Sequence, residues 1–184
     1  MNSTDILQFW FGKDQNAIKN QELWFKISAK TDALITEKFS SLLTAAEQNE
    51  LNWSSNSNKD LLAKVILLSQ FTRFIHRGSV KMFQNDTQAT KIANELIATE
   101  MSDLTSIEKY FVYLTLLNCE DITSAANGLV GVEKLYNSAD HSQKEQFSKF
   151  LKTQNDYFEV LKKFGRFPHR NTLLKRESTK EELK

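Results

Sequence analysis

Three features of this sequence predict an all-α protein that forms a single domain. Only 5 Gly and 1 Pro occur in 184 residues, far fewer than the turns and hairpins of a β-rich chain require. Apolar residues recur at helical spacing through most of the chain. No linker-like stretch divides the chain, and its length suits one domain. We therefore expect residues 1–184 to form one stack of antiparallel helix hairpins with short connections.

The first half of the chain predicts four helices. A short one begins near Thr4 and ends at Gly12, and a second short segment holds Trp24. The stretch Thr31–Gln48 carries a single apolar stripe, which consists of Ile35, Phe39, Leu42, Leu43 and Ala46. The stretch Leu61–His76 is apolar on two faces at its start. We therefore expect it to be the most buried helix.

The second half predicts longer helices. Asp86 is the expected N-cap of a helix whose apolar residues fall at helical offsets. A further helix contains Ile107–Leu117, and a weaker one spans Ile122–Tyr136, where two glycines interrupt the pattern. The clearest amphipathic pattern runs over Ser142–Phe164. Finally, Ser178–Glu182 has the spacing of a capping box that opens a last short helix.

Composition and charge exclude several classes of partner. The chain has 24 basic and 23 acidic residues and a net charge of +1, so it lacks the positive field that attracts nucleic acid. The lone Cys119 excludes an internal disulfide and a multi-thiolate metal site. The densest apolar run, residues 61–68, is too short to span a bilayer, and the N-terminus lacks a signal-peptide pattern. We therefore expect a cytoplasmic protein without nucleic-acid or membrane partners and without a metal or other cofactor.

One segment near the C-terminus departs from the helical pattern. Gly165 stands where a helix-closing glycine is expected, and Arg166-Phe167-Pro168-His169-Arg170-Asn171 follows it. This hexapeptide contains the only proline, one of three histidines and two arginines. Proline fixes its own φ and forces the preceding residue toward an extended conformation. We therefore expect a stiff backbone that presents its side chains in fixed directions.

This segment resembles the closing signature of the bacterial family catalogued as domain of unknown function 924. The signature comprises Phe164–Asn171, Arg176-Glu177-Ser178-Thr179 and Glu181-Glu182. Other landmarks are Phe9-Trp10-Phe11-Gly12, Trp24-Phe25, Trp53, Gln70-Phe71, Arg73, Arg77-Gly78, Phe83, Asp86 and Glu120-Asp121. They extend from the first helix to the last, so the resemblance covers essentially the whole chain. It implies an all-α fold similar to tetratricopeptide-repeat helix stacks, and no established activity.

The chain departs from the family pattern at two places. The family usually reads Asp-Gln-Phe-Pro-Arg-Asn where this chain has Ser69-Gln70-Phe71-Thr72-Arg73-Phe74. It usually has a proline and then His-Ser before Glu-Asp, where this chain has Thr115 and Asn118-Cys119. If those groups form a site in relatives, the site in this chain is reduced or repurposed.

Two arginines are the first candidates for a binding site. Gln70, Arg73 and Arg77 lie at offsets that share one face of a helix. Two guanidinium groups four residues apart suit the bidentate capture of a carboxylate or a phosphate. Alternatively, both arginines pair with carboxylates of a neighbouring helix, which is the more frequent arrangement.

Glu120, Asp121 and His169 are the candidates for acid–base chemistry. Crowding of the two carboxylates would raise one pKa, while the flanking Arg166 and Arg170 would hold His169 neutral, as a general base requires. Alternatively, the acidic pair is structural and clamps the C-terminal segment onto the helices. No metal-ligand spacing or nucleophile motif accompanies His169.

The first hypothesis for function is therefore a binding module for an anionic group, either a peptide carboxylate or a phosphate metabolite. Its expected site residues are Arg73, Arg77, Glu120, Asp121, Arg166, His169, Arg170 and Asn171. The alternative is a small cytoplasmic enzyme that uses His169 with Glu120 or Asp121. A third interpretation is purely structural, with the C-terminal segment locking the last helix in place. We assign the aromatic cluster of Phe9, Trp10, Phe11, Trp24, Phe25 and Trp53 to the core, although it could also line a pocket.

Overall fold

A computed structural model describes residues 1–12, 17–54 and 56–184, with only the backbone of residues 17–19. The α-helices are α1 (Ser3–Phe11), α2 (Ala17–Phe25), α3 (Ala29–Glu47), α4 (Asn58–Val65), α5 (Thr72–Ile75), α6 (Asp86–Ala98), α7 (Ser106–Asn118), α8 (Ile122–Ser138) and α9 (Lys144–Phe164). A π-helical segment, Ile66–Phe71, joins α4 to α5, and short 3₁₀ helices span Val80–Phe83 and Pro168–Arg170. Because these ranges contain no strand, the prediction of an all-α protein is confirmed. The tetratricopeptide-repeat-like arrangement stays a prediction.

The helix that the sequence predicts to be most buried lies at the centre of the core. Ala63 and Leu67 have no exposed surface, and neither has Phe71. The Trp10 ring of α1 packs edge-on against Phe71 and, at 5.5 Å between centroids, against Phe111 of α7. Rings of this kind bury large apolar areas, which is the main stabilising term in a helical core. None of the described helices has the length and apolarity needed to cross a membrane.

Helices α7 and α9 both pack against α8, and two glycines of α8 allow the close approach of α7. A Cβ atom on Gly128 would lie 2.7 Å from the Tyr113 carbonyl oxygen of α7, and one on Gly131 would lie 2.3 Å from the Tyr113 ring. Helix α8 nevertheless continues from Ile122 to Ser138. The glycines are therefore close-approach positions within a continuous helix.

Two sequence-based details are wrong, at Asp86 and at the C-terminus. Asp86 is the first residue of α6 and not its N-cap, which is Asn85. The capping-box bonds between Thr179 and Glu182 form in both directions, but only a turn follows them.

Replacing Gly128 with alanine tests the close approach of α7 and α8. The new methyl group meets a backbone carbonyl that cannot rotate away, so we expect a loss of about 1–3 kcal/mol in the free energy of unfolding. Chemical denaturation measures this loss. The matched control is Asn127→Ala, an exposed position of the same helix, which should change stability by less than about 0.5 kcal/mol. Equal stability of the two variants would contradict the packing described.

Candidate functional site

The C-terminal segment folds back onto the end of α7. Gly165 closes α9 in the left-handed region, at φ 68°, which lets the chain reverse. Phe167 is then buried, and its backbone N–H donates to Glu120 Oε1 at 2.7 Å. Arg176 donates to both oxygens of the same carboxylate, at 2.5 and 2.9 Å. Glu120 therefore binds the C-terminal segment, which agrees with the interpretation that this carboxylate is structural and holds the segment against the helices.

A second carboxylate holds the end of the segment. Glu182 accepts from Arg166 Nε at 2.6 Å and Nη2 at 2.8 Å, and from Asn171 Nδ2 at 3.2 Å. Arg176 Nε in turn donates to Asn171 Oδ1 at 3.1 Å. We call Glu120, Arg166, Asn171, Arg176 and Glu182 the C-terminal clasp. Because these residues satisfy one another, the clasp offers few free hydrogen-bonding groups to a ligand.

Both carboxylates of the clasp are stabilised in the charged form. Hydrogen bonds from Arg166, followed by the Thr179 backbone N–H, lower the pKa of Glu182 to about 2. Burial raises the pKa of Glu120, but the hydrogen bonds from Arg176 and Phe167 outweigh burial and leave this pKa below its ordinary value.

A separate buried cluster lies where α5, α6 and the C-terminal segment meet. Asp86 lies 2.8 Å from Arg73 Nη1 and accepts from Arg73 Nη2 at 2.9 Å and from Arg170 Nη1 at 3.4 Å. Asp86 and Arg170 are each 7% exposed. Burial raises the pKa of Asp86, while the two arginines act in the opposite direction. We call Arg73, Asp86 and Arg170 the arginine–aspartate cluster.

The Arg170 guanidinium contacts two aromatic rings and two hydrogen-bond acceptors. Its Cζ lies 4.5 Å from the centroid of the Phe83 ring and 4.6 Å from that of the Phe167 ring. Nη1 donates to the Asn118 carbonyl at 2.9 Å as well as to Asp86. The Nε atom is buried and has no acceptor among the described residues, and Nη2 makes no hydrogen bond to them. Within the described part of the chain, one edge of the guanidinium therefore has no acceptor.

The remaining predicted site residues lie apart from this cluster. Arg77 follows the end of α5 and pairs with Asp32 of α3, at 2.6 and 2.9 Å. The expectation that Arg73 and Arg77 project together is therefore wrong, because the helix ends at Ile75 before reaching Arg77. Asp121 is exposed and caps α8 by accepting from the Ser124 backbone N–H at 2.7 Å.

His169 is exposed and packs against aromatic rings. Its ring centroid lies 5.5 Å from that of Phe167 and 6.3 Å from that of Tyr157. No carboxylate in the described ranges lies within ion-pair distance of His169. Partial desolvation of the ring by its neighbours, followed by the charge of Arg170, lowers the pKa of His169. The imidazole is thus biased toward the neutral form, and the described residues supply no acid–base partner for it.

Three of the family-atypical residues form one hydrogen-bonded group beside Arg73. Ser69 Oγ accepts from Thr115 Oγ1 at 3.0 Å and from Asn118 Nδ2 at 2.9 Å. Arg73 Nη1 donates to the Ser69 carbonyl at 2.7 Å. The departures at positions 69, 115 and 118 are therefore adjacent in space. Burial, followed by the charge of Asp86, raises the pKa of the neighbouring Cys119 thiol, so this thiol is not activated.

Sequence reasoning missed Asp86 as a site residue and Arg176 as the partner of Glu120. The sequence predicts Asp86 as a helix cap and marks Arg176 only as part of the C-terminal signature. Both residues are landmarks of the family resemblance, which is the one signal in the sequence that marks them. Within the described part of the chain, no three His, Cys, Asp or Glu residues are grouped closely enough to hold a metal ion.

The sequence matches a bacterial protein family over most of its length. The profile described as "Bacterial protein of unknown function (DUF924)" matches residues 6–184. The chain therefore belongs to this family, and the resemblance seen in the C-terminal signature is confirmed.

A solved structure has a similar fold. It is that of a protein of unknown function from Agrobacterium tumefaciens, and it matches with a TM-score of 0.82 and 28% sequence identity. The match covers 98% of this chain and 94% of that chain. No curated protein matches the chain.

Acid should open the C-terminal clasp. The folded-state pKa values of Glu120 and Glu182 lie below the ordinary value of 4.5. The stability that they contribute is therefore complete above that value and is lost as the pH falls through the folded pKa, toward about 2 for Glu182. We expect the Thr179 amide, which donates to Glu182, to lose hydrogen-exchange protection over this interval.

Substitution of Glu182 with glutamine should remove this acid transition. The variant should show a weakly protected Thr179 amide already at neutral pH, since the charge-assisted bonds to Arg166 are lost. The neighbouring Glu181→Gln is the control, because Glu181 is exposed and only approaches Lys163 at 3.8 Å. A Glu182→Gln variant with unchanged protection would rule out this role of the clasp.

Proposed function

We propose that this protein is a binding module that holds a singly charged carboxylate on the free edge of Arg170. The observation that carries this proposal is a buried guanidinium whose Nε and Nη2 groups have no acceptor among the described residues. A buried, unsatisfied donor is costly, and most buried polar groups in proteins are paired. A ligand that accepts from both groups would remove this cost.

The surroundings of Arg170 favour recognition in one geometry. The Nε and Nη2 groups of an arginine present two parallel N–H bonds, which match the two oxygens of a carboxylate. Phe83 and Phe167 fix the plane of the guanidinium, and Asp86 and the Asn118 carbonyl fix its other edge. Since the side chain is already ordered, binding costs little conformational entropy.

The charge of the cluster favours a monoanion. Two arginines and one aspartate leave a net charge of +1, which one carboxylate neutralises. A phosphate dianion would bring a second negative charge close to the buried carboxylate of Asp86, where repulsion is weakly screened. The chemistry therefore supports a small acid or a peptide carboxylate over a phosphate metabolite.

The enzyme alternative lacks comparable support. It requires His169 to hydrogen-bond to Glu120 or Asp121, but Glu120 is engaged by Arg176 and Phe167, and Asp121 caps α8. The structural interpretation agrees with the contacts of the clasp, and it is compatible with a ligand on Arg170. A binding module in which the clasp positions Arg170 accounts for two observations. These are the internal hydrogen bonds of the clasp and the Arg170 groups that have no acceptor among the described residues.

The Arg170 Nε–H resonance gives a direct test in the unmodified protein. In ¹⁵N-labelled protein, acetate should shift this resonance saturably, whereas phosphate above neutral pH should shift it less. Because a charge-assisted hydrogen bond contributes about 1.5–3 kcal/mol, Arg170→Lys should weaken acetate binding about tenfold or more. Circular dichroism establishes whether the variant is folded.

The matched control is Arg77→Lys, since Arg77 pairs with Asp32 outside the cluster. This variant should bind acetate like the unmodified protein. A Nε–H resonance that does not respond to any carboxylate would refute the proposal, and so would equal acetate affinity of a folded Arg170→Lys variant.

A further inference from the structure

A second candidate site lies beside the N-terminal half of α7, whereas Arg170 contacts the C-terminal end of that helix. Helices α2, α7 and α9 enclose a groove of about 510 Å³, a volume typical of small-molecule sites. Phe25, Tyr110, Gln146 and Phe150 are among the residues that line it. We call it the aromatic groove. It shares no residue with the arginine–aspartate cluster or with the C-terminal clasp.

Aromatic rings form the walls of the groove. Tyr110 and Phe150 are stacked, with centroids 3.9 Å apart and an angle of 10° between the rings. Phe25 lies 5.9 Å from Phe150 and is 53% exposed, whereas the adjacent Trp24 is 7% exposed. The assignment of Phe25 to the core is therefore wrong, because α2 directs this ring outward along the groove. An exposed ring at the edge of an aromatic stack is a surface on which another flat ring can pack.

Gln146 also lines the groove with a polar side chain. Gln146 Nε2 is buried and has no hydrogen-bond partner among the described residues. An amide N–H₂ group donates only, so it requires an acceptor such as a carbonyl oxygen. A purely apolar occupant would leave this donor unsatisfied, which is costly in a buried place.

The charges at the rim indicate a neutral occupant. Glu145 and Lys149 line the groove and pair with each other, with Nζ and Oε1 2.6 Å apart. They leave no net charge for a charged ligand to neutralise. We infer that the aromatic groove binds a neutral, planar aromatic molecule, whose ring packs on Phe25 and whose carbonyl oxygen accepts from Gln146.

Three simple probes separate these contributions in the full chain. Benzamide carries a ring and a carbonyl group, toluene only the ring, and benzoate a ring with a charge. We expect benzamide to shift the Gln146 side-chain amide resonances saturably and to bind about three- to tenfold more tightly than toluene, as one hydrogen bond provides. Benzoate should bind the groove more weakly than benzamide.

Two substitutions assign the binding to the groove. Phe25→Ala should weaken benzamide binding about three- to tenfold, since it removes one aromatic contact. Gln146→Leu should reduce the affinity for benzamide to that for toluene. The control is Leu34→Ala, another partly exposed apolar position, on α3 and outside the groove, which should leave benzamide binding unchanged. Arg170→Lys should also leave it unchanged, which separates this site from the carboxylate site.

Three outcomes would overturn the inference. The first is the absence of any saturable shift at Gln146 with benzamide. The second is equal affinity for benzamide and toluene in the unmodified protein. The third is a dimer in sedimentation analysis that Phe25→Ala dissociates, because a second copy of the chain would then be the occupant of the groove.

Discussion

The burial of the Arg170 side chain is the constraint on which the arrangement of the C-terminal half depends. A guanidinium loses its hydration when it is buried, and only charge partners and hydrogen-bond acceptors offset that cost. For Arg170 these partners come from different parts of the chain, namely Asp86 at the start of α6 and the Asn118 carbonyl at the end of α7. Helices α6 and α7 and the C-terminal segment must therefore meet at this point.

The C-terminal clasp brings Arg170 to that point. Gly165 reverses the chain, Pro168 begins the short 3₁₀ helix, and Phe167 packs into a small apolar cluster with Leu117, Ala125 and Leu161. Glu120 then secures the Phe167 backbone and Arg176. The clasp residues thus hydrogen-bond to one another, whereas one edge of Arg170, which the clasp positions, has no acceptor in the described part of the chain. This contrast separates the supporting residues from the one that we expect to contact a ligand.

The two proposed sites differ in their physical basis. The Arg170 site depends on charge, so salt and pH should influence it. The aromatic groove depends on ring packing and one neutral hydrogen bond, and its ionic groups pair with each other. Each proposal uses a buried polar atom that has no hydrogen-bond partner among the described residues, at Arg170 Nε and at Gln146 Nε2. Most buried polar atoms in folded proteins have a hydrogen-bond partner, so a buried atom without one is consistent with a ligand that supplies the partner.

The sequence by itself determined the helical class, the approximate positions of the main helices, the departure of the C-terminal segment and the family. Helical periodicity, capping residues and the positions of glycine and proline are local properties of the sequence. They therefore indicate helices without knowledge of the tertiary structure. The central helix is an example, since its two apolar faces indicated its burial directly.

Only the tertiary structure decided which charged groups meet. Asp86, Glu120, Asp121 and Glu182 were all available to the arginines, yet Arg170 binds Asp86, Arg166 binds Glu182 and Arg176 binds Glu120. The end of α5 at Ile75 separated Arg77 from Arg73, and the glycines of α8 brought that helix against α7. Whether an ion pair forms depends on distances of a few ångströms between side chains that are far apart in the chain. Helical spacing places a side chain on a face, but the packing of the helices determines what that face contacts.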